Sequence, residues 1–312
     1  MHAADNLCDF LPKRQVMLFA RRSSNPESGH AIEQIAQGET GYPSRLLGLT
    51  DAPAVLWVRG RMPEDGGRTV AVVGARAASG AGCARARLLA GELASKGFAV
   101  ISGGAFGIDA AAHEGALAAA SAPTFAVFGC GVDVTYPDRH GPLFARIAAA
   151  GGLLSEYAPG TPPRAGQFPA RNRIIAALGD TTIVVEAAHR SGALITARLA
   201  RGLGKPVLAV PGSVGTDRLL QRGQALAITS AADVEEVLAG RQPEAAGAAE
   251  PPPGVLGTLV AALREGPSTP AALSRKTGLP LPAVMATLVE AELDGWLCRI
   301  PGNQYEVIRR GC

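Results

Sequence analysis

Several things are scarce in this sequence, and each scarcity removes a class of protein. Its 312 residues hold five cysteines, Cys8, Cys83, Cys130, Cys298 and Cys312, with no C-x-x-C pair. An odd and scattered set gives neither a disulfide framework nor a zinc site, and it fits a reducing compartment. Aromatic residues are only 4% of the chain, so any base-stacking platform must be small. No uninterrupted apolar run reaches membrane-spanning length. The apolar stretch 15–20, bounded by Lys13-Arg14 and Arg21-Arg22, is too short for a secretory core. Charge is sparse too, at 18% with a net +3, which neither demands nor excludes a polyanionic partner. A cytoplasmic protein is expected.

Apolar residues, by contrast, make up 47%, and there are 39 glycines; a sizeable core can form. Residues 1–40 show little periodicity and are expected to be irregular. From 41 to 239, short apolar runs at 69–73, 98–102, 124–128, 152–155, 181–186 and 206–210 alternate with helix-like stretches. That alternation predicts a mostly parallel sheet of extended Rossmann-like α/β type, with helices on both faces. Residues 240–253 read as a proline/alanine linker. Beyond it, 254–312 reads as three short helices and a hairpin, a small C-terminal winged helix.

Glycine-rich loops follow the strands, at the carboxyl edge where open α/β sheets bind ligands. The first is Gly74-Ala-Arg-Ala-Ala-Ser-Gly-Ala-Gly82. Backbone amides at the next helix start attract phosphate, Arg76 adds a charged fork and Ser79 a hydroxyl. The bland alternative is a tight turn. It is neither G-x-G-x-x-G nor G-x-x-x-x-G-K-[ST], and no acid follows the second strand for a ribose, so dinucleotide binding is disfavoured. The second loop, with Gly103 and Gly104, leads to Asp109 and His113 on one helix face. A Ser102/His113/Asp109 triad and a braced loop are both open readings. In the third, Phe168, Arg171, Asn172 and Arg173 open a helix, with Arg164 upstream. Cations there oppose the helix dipole, so an anion should compensate: a bound one, or Glu156 or Glu186. Ser191 and Gly192 start a fourth helix, with Ser191 as a plain N-cap or a ligand contact. Together these loops describe a groove for a phosphate-rich ligand.

Seven stretches in order resemble the DNA processing protein A family (DprA/Smf). They are Ala71-Val-Val-Gly-Ala-Arg-Ala-Ala-Ser79, Ser102-Gly-Gly-Ala-Phe-Gly-Ile-Asp-Ala-Ala-Ala-His113 and Gly129-Cys-Gly-Val-Asp-Val-Thr-Tyr-Pro137, followed by Leu154-Ser-Glu-Tyr157, Phe168-Pro-Ala-Arg-Asn-Arg-Ile-Ile175, Ser191-Gly-Ala-Leu-Ile-Thr-Ala197 and Ala209-Val-Pro-Gly212. The resemblance implies a homodimer that binds single-stranded DNA, loads RecA onto it and serves natural transformation, with no cofactor and no catalysis. It implies that Arg76 holds a phosphate, that Phe168 meets a base, and that Arg171, Asn172 and Arg173 shape the groove. The sequence departs from the family in three places. No sterile-alpha-motif-like domain is recognisable in 1–40. Ala165 stands where a lysine is frequent, with Arg164 beside it. Asp217 replaces an amide after Gly215-Thr216.

Two other readings compete. Pro211-Gly-Ser-Val-Gly-Thr216 approaches the P-G-G-x-G-T-x-x-E signature of nucleotide phosphoribohydrolases, but Leu219 occupies the glutamate position, leaving no general base. A sensor that binds a mononucleotide without reaction is the other. In the C-terminal unit, six basic and five acidic residues nearly cancel, and the third helix carries only Glu290 and Glu292. Major-groove reading from that helix is disfavoured, and a protein-contact or stabilising role is expected.

Overall fold

Val70, Ala71, Val72 and Val73 have no polar side to turn toward water, and all are buried at the centre of a sheet. The structure is a computed structural model; it describes residues 31–241, 254–293, 297–300 and 302–307. Strand β3 (Thr69–Val73) pairs in parallel with β4 (Ala99–Ser102) on one side and β7 (Thr181–Val184) on the other. Outward from β4 come β5 (Thr124–Val127) and β6 (Gly152–Ser155); outward from β7 come β8 (Val207–Ala209) and β9 (Leu226–Ala227), all parallel. An antiparallel margin, β2 (Val55–Gly60) and β1 (Ile32–Ala36), extends the sheet beyond β6. The order is β1-β2-β6-β5-β4-β3-β7-β8-β9. Chain progression therefore reverses between β3 and β7, and a crevice opens at that switch point.

Alternation along β3 sorts the helices. Val70 and Val72 face a cluster built with α1 (Gly80–Ser95), α2 (Ile108–Ala119) and α7 (Ala231–Leu238). Ala71 and Val73 face the opposite cluster, built with α4 (Gln167–Leu178), α5 (Gly192–Gly202) and Leu219 of α6 (Val214–Gln221). α3 (Gly141–Ala150) closes a third cluster over β5 and β6. Both faces are covered, as the apolar runs predict. Burial of each large aliphatic side chain contributes about 1.5–3 kcal/mol.

The far end of α4 is tied down at the opposite edge of the sheet. Arg45 donates to the Leu178 carbonyl at 3.0 Å, and Lys205 donates to the carbonyls of Ala177 and Gly179, the latter at 2.7 Å. Cations at a helix C-terminus complement its dipole. Burial drops Lys205 to about pKa 8, so most of its charge survives at neutral pH.

Four elements escape a reading by periodicity. β1 lies inside the stretch expected to be irregular; it is a five-residue edge strand with only Ile32 buried, too short and one-sided to show alternation. β9 has two residues. α6 and α7 are eight residues each, marked less by period than by capping boxes, Ser213 with Thr216 and Ser230 with Asp233. Residues 1–30 and 242–253 lie outside the described residues. The C-terminal unit packs α8 (Val255–Leu263), α9 (Pro270–Thr277) and α10 (Leu281–Leu293) against a hairpin, β10 (Leu297–Ile300) and β11 (Gln304–Val307). Leu259, Leu263, Leu273, Val284, Leu288 and Tyr305 form its core.

Candidate nucleic-acid interface

The β3–α1 loop divides into an inward and an outward half. A Cβ on Gly74 would strike the side chain of Ile108 and lie 2.9 Å from the Glu186 carbonyl. That glycine is required by packing under α2 rather than by a phosphate. Ser79 caps α1: its Oγ accepts from the Gly82 amide at 2.9 Å and donates to Glu186 Oε2 at 2.6 Å. The expected hydroxyl contact to a ligand is thus taken by an internal acid. Arg76 behaves differently. It is exposed, pairs with no carboxylate among the described residues, and places its guanidinium 5.2 Å from the centroid of the Phe168 ring.

The β4–α2 loop is braced from within. Gly103 and Gly104 are buried. Asp109 accepts from the amides of Gly103 at 3.1 Å and Ala105 at 3.4 Å, and burial raises its pKa against the pull of Arg171. Ser102 Oγ donates to the Val72 carbonyl, and His113 Nδ1 lies 2.8 Å from Thr124 Oγ1. No relay runs from Ser102 through His113 to Asp109; the bracing reading holds.

α4 has no acidic residue in its first turn, yet its arginines do not wait for an external anion. Arg171, expected on the groove surface, is 3% exposed and donates to the carbonyls of Gly103, at 2.8 Å, and Val127. Burial lowers its pKa to about 10, opposed by Asp109, so the guanidinium stays charged. Arg173 makes two hydrogen bonds to Glu156, at 2.7 and 2.8 Å, and a 2.8 Å ion pair with Asp51. Those hydrogen bonds raise its pKa. Glu156 is therefore the compensating acid for Arg173, while Glu186 serves Ser79. Both arginines are scaffold: the same dipole argument that asks for an anion is answered by acids of the chain itself. Asn172 Nδ2 reaches the Gly192 carbonyl at 3.4 Å, joining the starts of α4 and α5. Ser191 N-caps α5, and a Cβ on Gly192 would meet only open space. Arg164 is exposed beside this helix.

Two neighbouring cavities result. One, of about 340 Å3, fills the switch point and is lined by Gly74, Arg76, Asp109, Arg171, Asn172 and Ser191, among others. The second, of about 420 Å3, is lined by Arg76, Tyr136, Pro163, Ala165, Phe168 and Pro169. Arg76 belongs to both. Tyr136 stacks against Phe168, with centroids 5.4 Å apart and planes 36° apart. Its place in the glycine-rich stretch that precedes Pro137 was the available signal for this second ring; sequence reasoning assigned it no role.

Residues 33–239 match the DNA recombination-mediator protein A family, and residues 243–303 the DprA winged helix domain. The chain belongs to the DNA recombination-mediator protein A family. It is 36% identical to Protein Smf of Escherichia coli, covering 87% of this chain and 76% of that protein, and 40% identical to a putative DNA processing protein DprA of Mycobacterium tuberculosis, covering 87% and 73%. Among solved structures, DprA from Streptococcus pneumoniae superposes with a TM-score of 0.61 at 40% identity, covering 65% of this chain and 72% of that one. DprA from Helicobacter pylori, described for its single-stranded DNA binding mode, superposes at 0.59 with 32% identity, covering 67% and 96%.

Within this family frame the departures acquire a geometry. Asp217, in the first turn of α6, accepts from the Gly212 amide at 2.9 Å and so ties the preceding loop to the helix. Ala165 lines the second cavity without charge. Leu219, at the position where a phosphoribohydrolase would need its acid, is buried in the core. Among the described residues no group of three metal-ligating side chains converges, and no helix is long and apolar enough to cross a membrane.

Proposed function

We propose that this protein binds unpaired DNA along the carboxyl edge of its sheet, with Arg76 holding a phosphate and Phe168 and Tyr136 offering rings to a base. The observation that carries this is the position of Arg76: an exposed cation, free of carboxylate partners among the described residues, shared by two cavities and set over an aromatic ring. A guanidinium beside a ring suits a strand that alternates phosphate and base. The single-stranded DNA binding of the Helicobacter pylori relative supports the same reading. In this reading Gly74, Gly103, Gly104, Ser79, Arg171 and Arg173 build the edge, while Arg164, Asn172, Ser191 and Gly192 remain candidate contacts along it. The protein acts as a cytoplasmic homodimer that loads RecA onto the bound strand during transformation and recombination, and performs no reaction on the DNA. The near-neutral C-terminal unit, whose α10 exposes Leu281, Met285 and Val289, serves protein contact rather than groove reading.

The test is a gel-shift comparison of single- and double-stranded oligonucleotides, with wild type and Arg76→Ala, across a salt series. Arg76→Ala should weaken single-strand binding by about 1–3 kcal/mol and flatten the salt dependence, because one fewer counterion set is released. Equal affinity and equal salt slope would remove Arg76 from the interface. RecA loading is read separately, as faster RecA assembly on single strands when the protein is present. The switch-point cavity, closed on one side by the N-terminus of α5, favours one second reading, a mononucleotide sensor. Saturation by a free mononucleotide at micromolar concentration, in competition with DNA, would select it.

A further inference from the structure

Phe106 is a large ring that the core does not use. It is 45% exposed and sits in the β4–α2 loop, next to Ala105, which lines the switch-point cavity. Its loop is nevertheless fixed at both ends. Gly104 has φ +68°, and a Cβ there would lie 2.8 Å from the Phe144 ring; Gly107 has φ +75°, and a Cβ there would lie 2.6 Å from the Arg76 carbonyl, so only glycine fits either place. His140 holds the ring itself. Its Nδ1 donates to the Gly104 carbonyl at 3.0 Å, and its imidazole meets Phe106 edge-on with centroids 4.6 Å apart, while packing against Phe144 on the other side. An exposed ring on a floppy loop is ordinary surface. One clamped by a histidine and two glycines is preorganised, and preorganisation spares a ligand the cost of ordering it.

Arg76 connects this ring to the other pair. Its backbone abuts the loop that carries Phe106, and its guanidinium reaches Phe168. The turn that bears His140 begins just after Tyr136, and it exposes Arg139 beside Asp138. The carboxyl edge thus carries two aromatic pairs, Phe168 with Tyr136 and Phe106 with His140, and Arg76 meets the ring of the first through its guanidinium and the loop of the second through its backbone.

We propose that Phe106, clamped by His140, is a second base-stacking platform for unpaired nucleic acid, separated from the Phe168–Tyr136 platform by the phosphate contact at Arg76. The inference rests on the single-strand reading above and deepens it: the ligand is a strand long enough to place bases on both sides of one pinned phosphate. Stacking tolerates any base, so the second platform lengthens the site without adding sequence preference.

Fluorescence anisotropy with labelled oligothymidylates of increasing length tests it on the full chain. Wild-type affinity should rise at the length that spans both platforms. Phe106→Ala should lose on the order of tenfold in affinity for strands beyond that length, none for the shortest strand bound, and keep the wild-type melting temperature. Phe106→Leu, which stays apolar but lacks a π face, should behave like Phe106→Ala, and Phe106→Trp like wild type. His140→Ala should reproduce part of the loss. Wild-type binding with unchanged affinity of Phe106→Ala at every length, or full affinity in Phe106→Leu, overturns the platform alone. A folded wild-type protein that binds no single strand at any length overturns the underlying reading and this one with it.

Discussion

Asp109 and Arg171 face each other across Gly103: a Cβ on that glycine would lie 2.6 Å from a carboxylate oxygen of one and 2.6 Å from a guanidinium nitrogen of the other. Both side chains are buried, and burial shifts each toward its neutral form while the partner's charge resists. Removing Arg171 takes away the positive charge that opposes the rise in Asp109 and the buried donor to the carbonyls of Gly103 and Val127, which costs about 1–3 kcal/mol. Arg171→Met should therefore destabilise the fold by that order in urea titration. Arg76→Ala, exposed and without a carboxylate partner among the described residues, should stay within about 0.5 kcal/mol of wild type. Equal stability of Arg171→Met and wild type would mean that the buried guanidinium adds nothing net to the fold.

Phe168 separates affinity from stability in the opposite sense. The ring is half-buried; it lies near Gly129, stacks on Tyr136 and lies under Arg76, while one side lines the second cavity. Phe168→Ala should cost about 1–3 kcal/mol of single-strand binding, with a smaller loss in melting temperature than Arg171→Met. A large drop in melting temperature with unchanged affinity per folded molecule would assign the ring to the core.

The parallel sheet was legible because buried strands such as Val70–Val73 leave an unbroken apolar run, and because several of them lead through glycine, as at Gly74, Gly103, Gly129 and Gly212, into a helix pattern. The site was legible at Arg76 and Phe168 for a different reason: both lie in loops at the carboxyl edge, where topology alone gathers residues far apart in sequence. What the sequence hides is the direction in which a side chain turns. Arg171 and Arg173 are two residues apart on α4 beside Arg164, and all three read as groove cations. Only the fold brings Asp109 and the Gly103 carbonyl to Arg171, and Glu156 and Asp51 to Arg173. The glycines mislead for a related reason. A residue without a side chain signals close approach, but at Gly74 and Gly103 what approaches is the protein itself.

Ser79 gives a clean discrimination between cap and ligand contact. Its hydroxyl is shared between the Gly82 amide and Glu186, and loss of an N-cap costs about 1 kcal/mol. Ser79→Ala should lower stability by that amount and leave single-strand affinity unchanged when measured well below the melting temperature. A loss of affinity comparable to that of Arg76→Ala would place the hydroxyl on the DNA.

His113 sets a pH dependence whose sign follows from its hydrogen bonds. The one proton of Thr124 Oγ1 goes to the Val100 carbonyl at 2.9 Å, so His113 Nδ1 must donate to that hydroxyl. Nε2 is then a buried lone pair with no partner, and protonating it would create a cation with no acceptor in reach. Burial first, then the positive charges of His140 and Arg171, push the folded pKa from 6.5 down to about 3. The unfolded chain takes up the proton near pH 6.5 and the native state does not, so this group's contribution is fully present above pH 6.5. It is lost as pH falls from there toward 3, at about 1.4 kcal/mol per pH unit. His113→Gln keeps a donor for Thr124 and cannot titrate. Its urea stability should fall less than that of wild type, by about 1 kcal/mol, between pH 7 and pH 5.5. Parallel stability curves for the two proteins over that interval would mean that His113 is protonated in the native state, and that the pocket around Nε2 admits a partner.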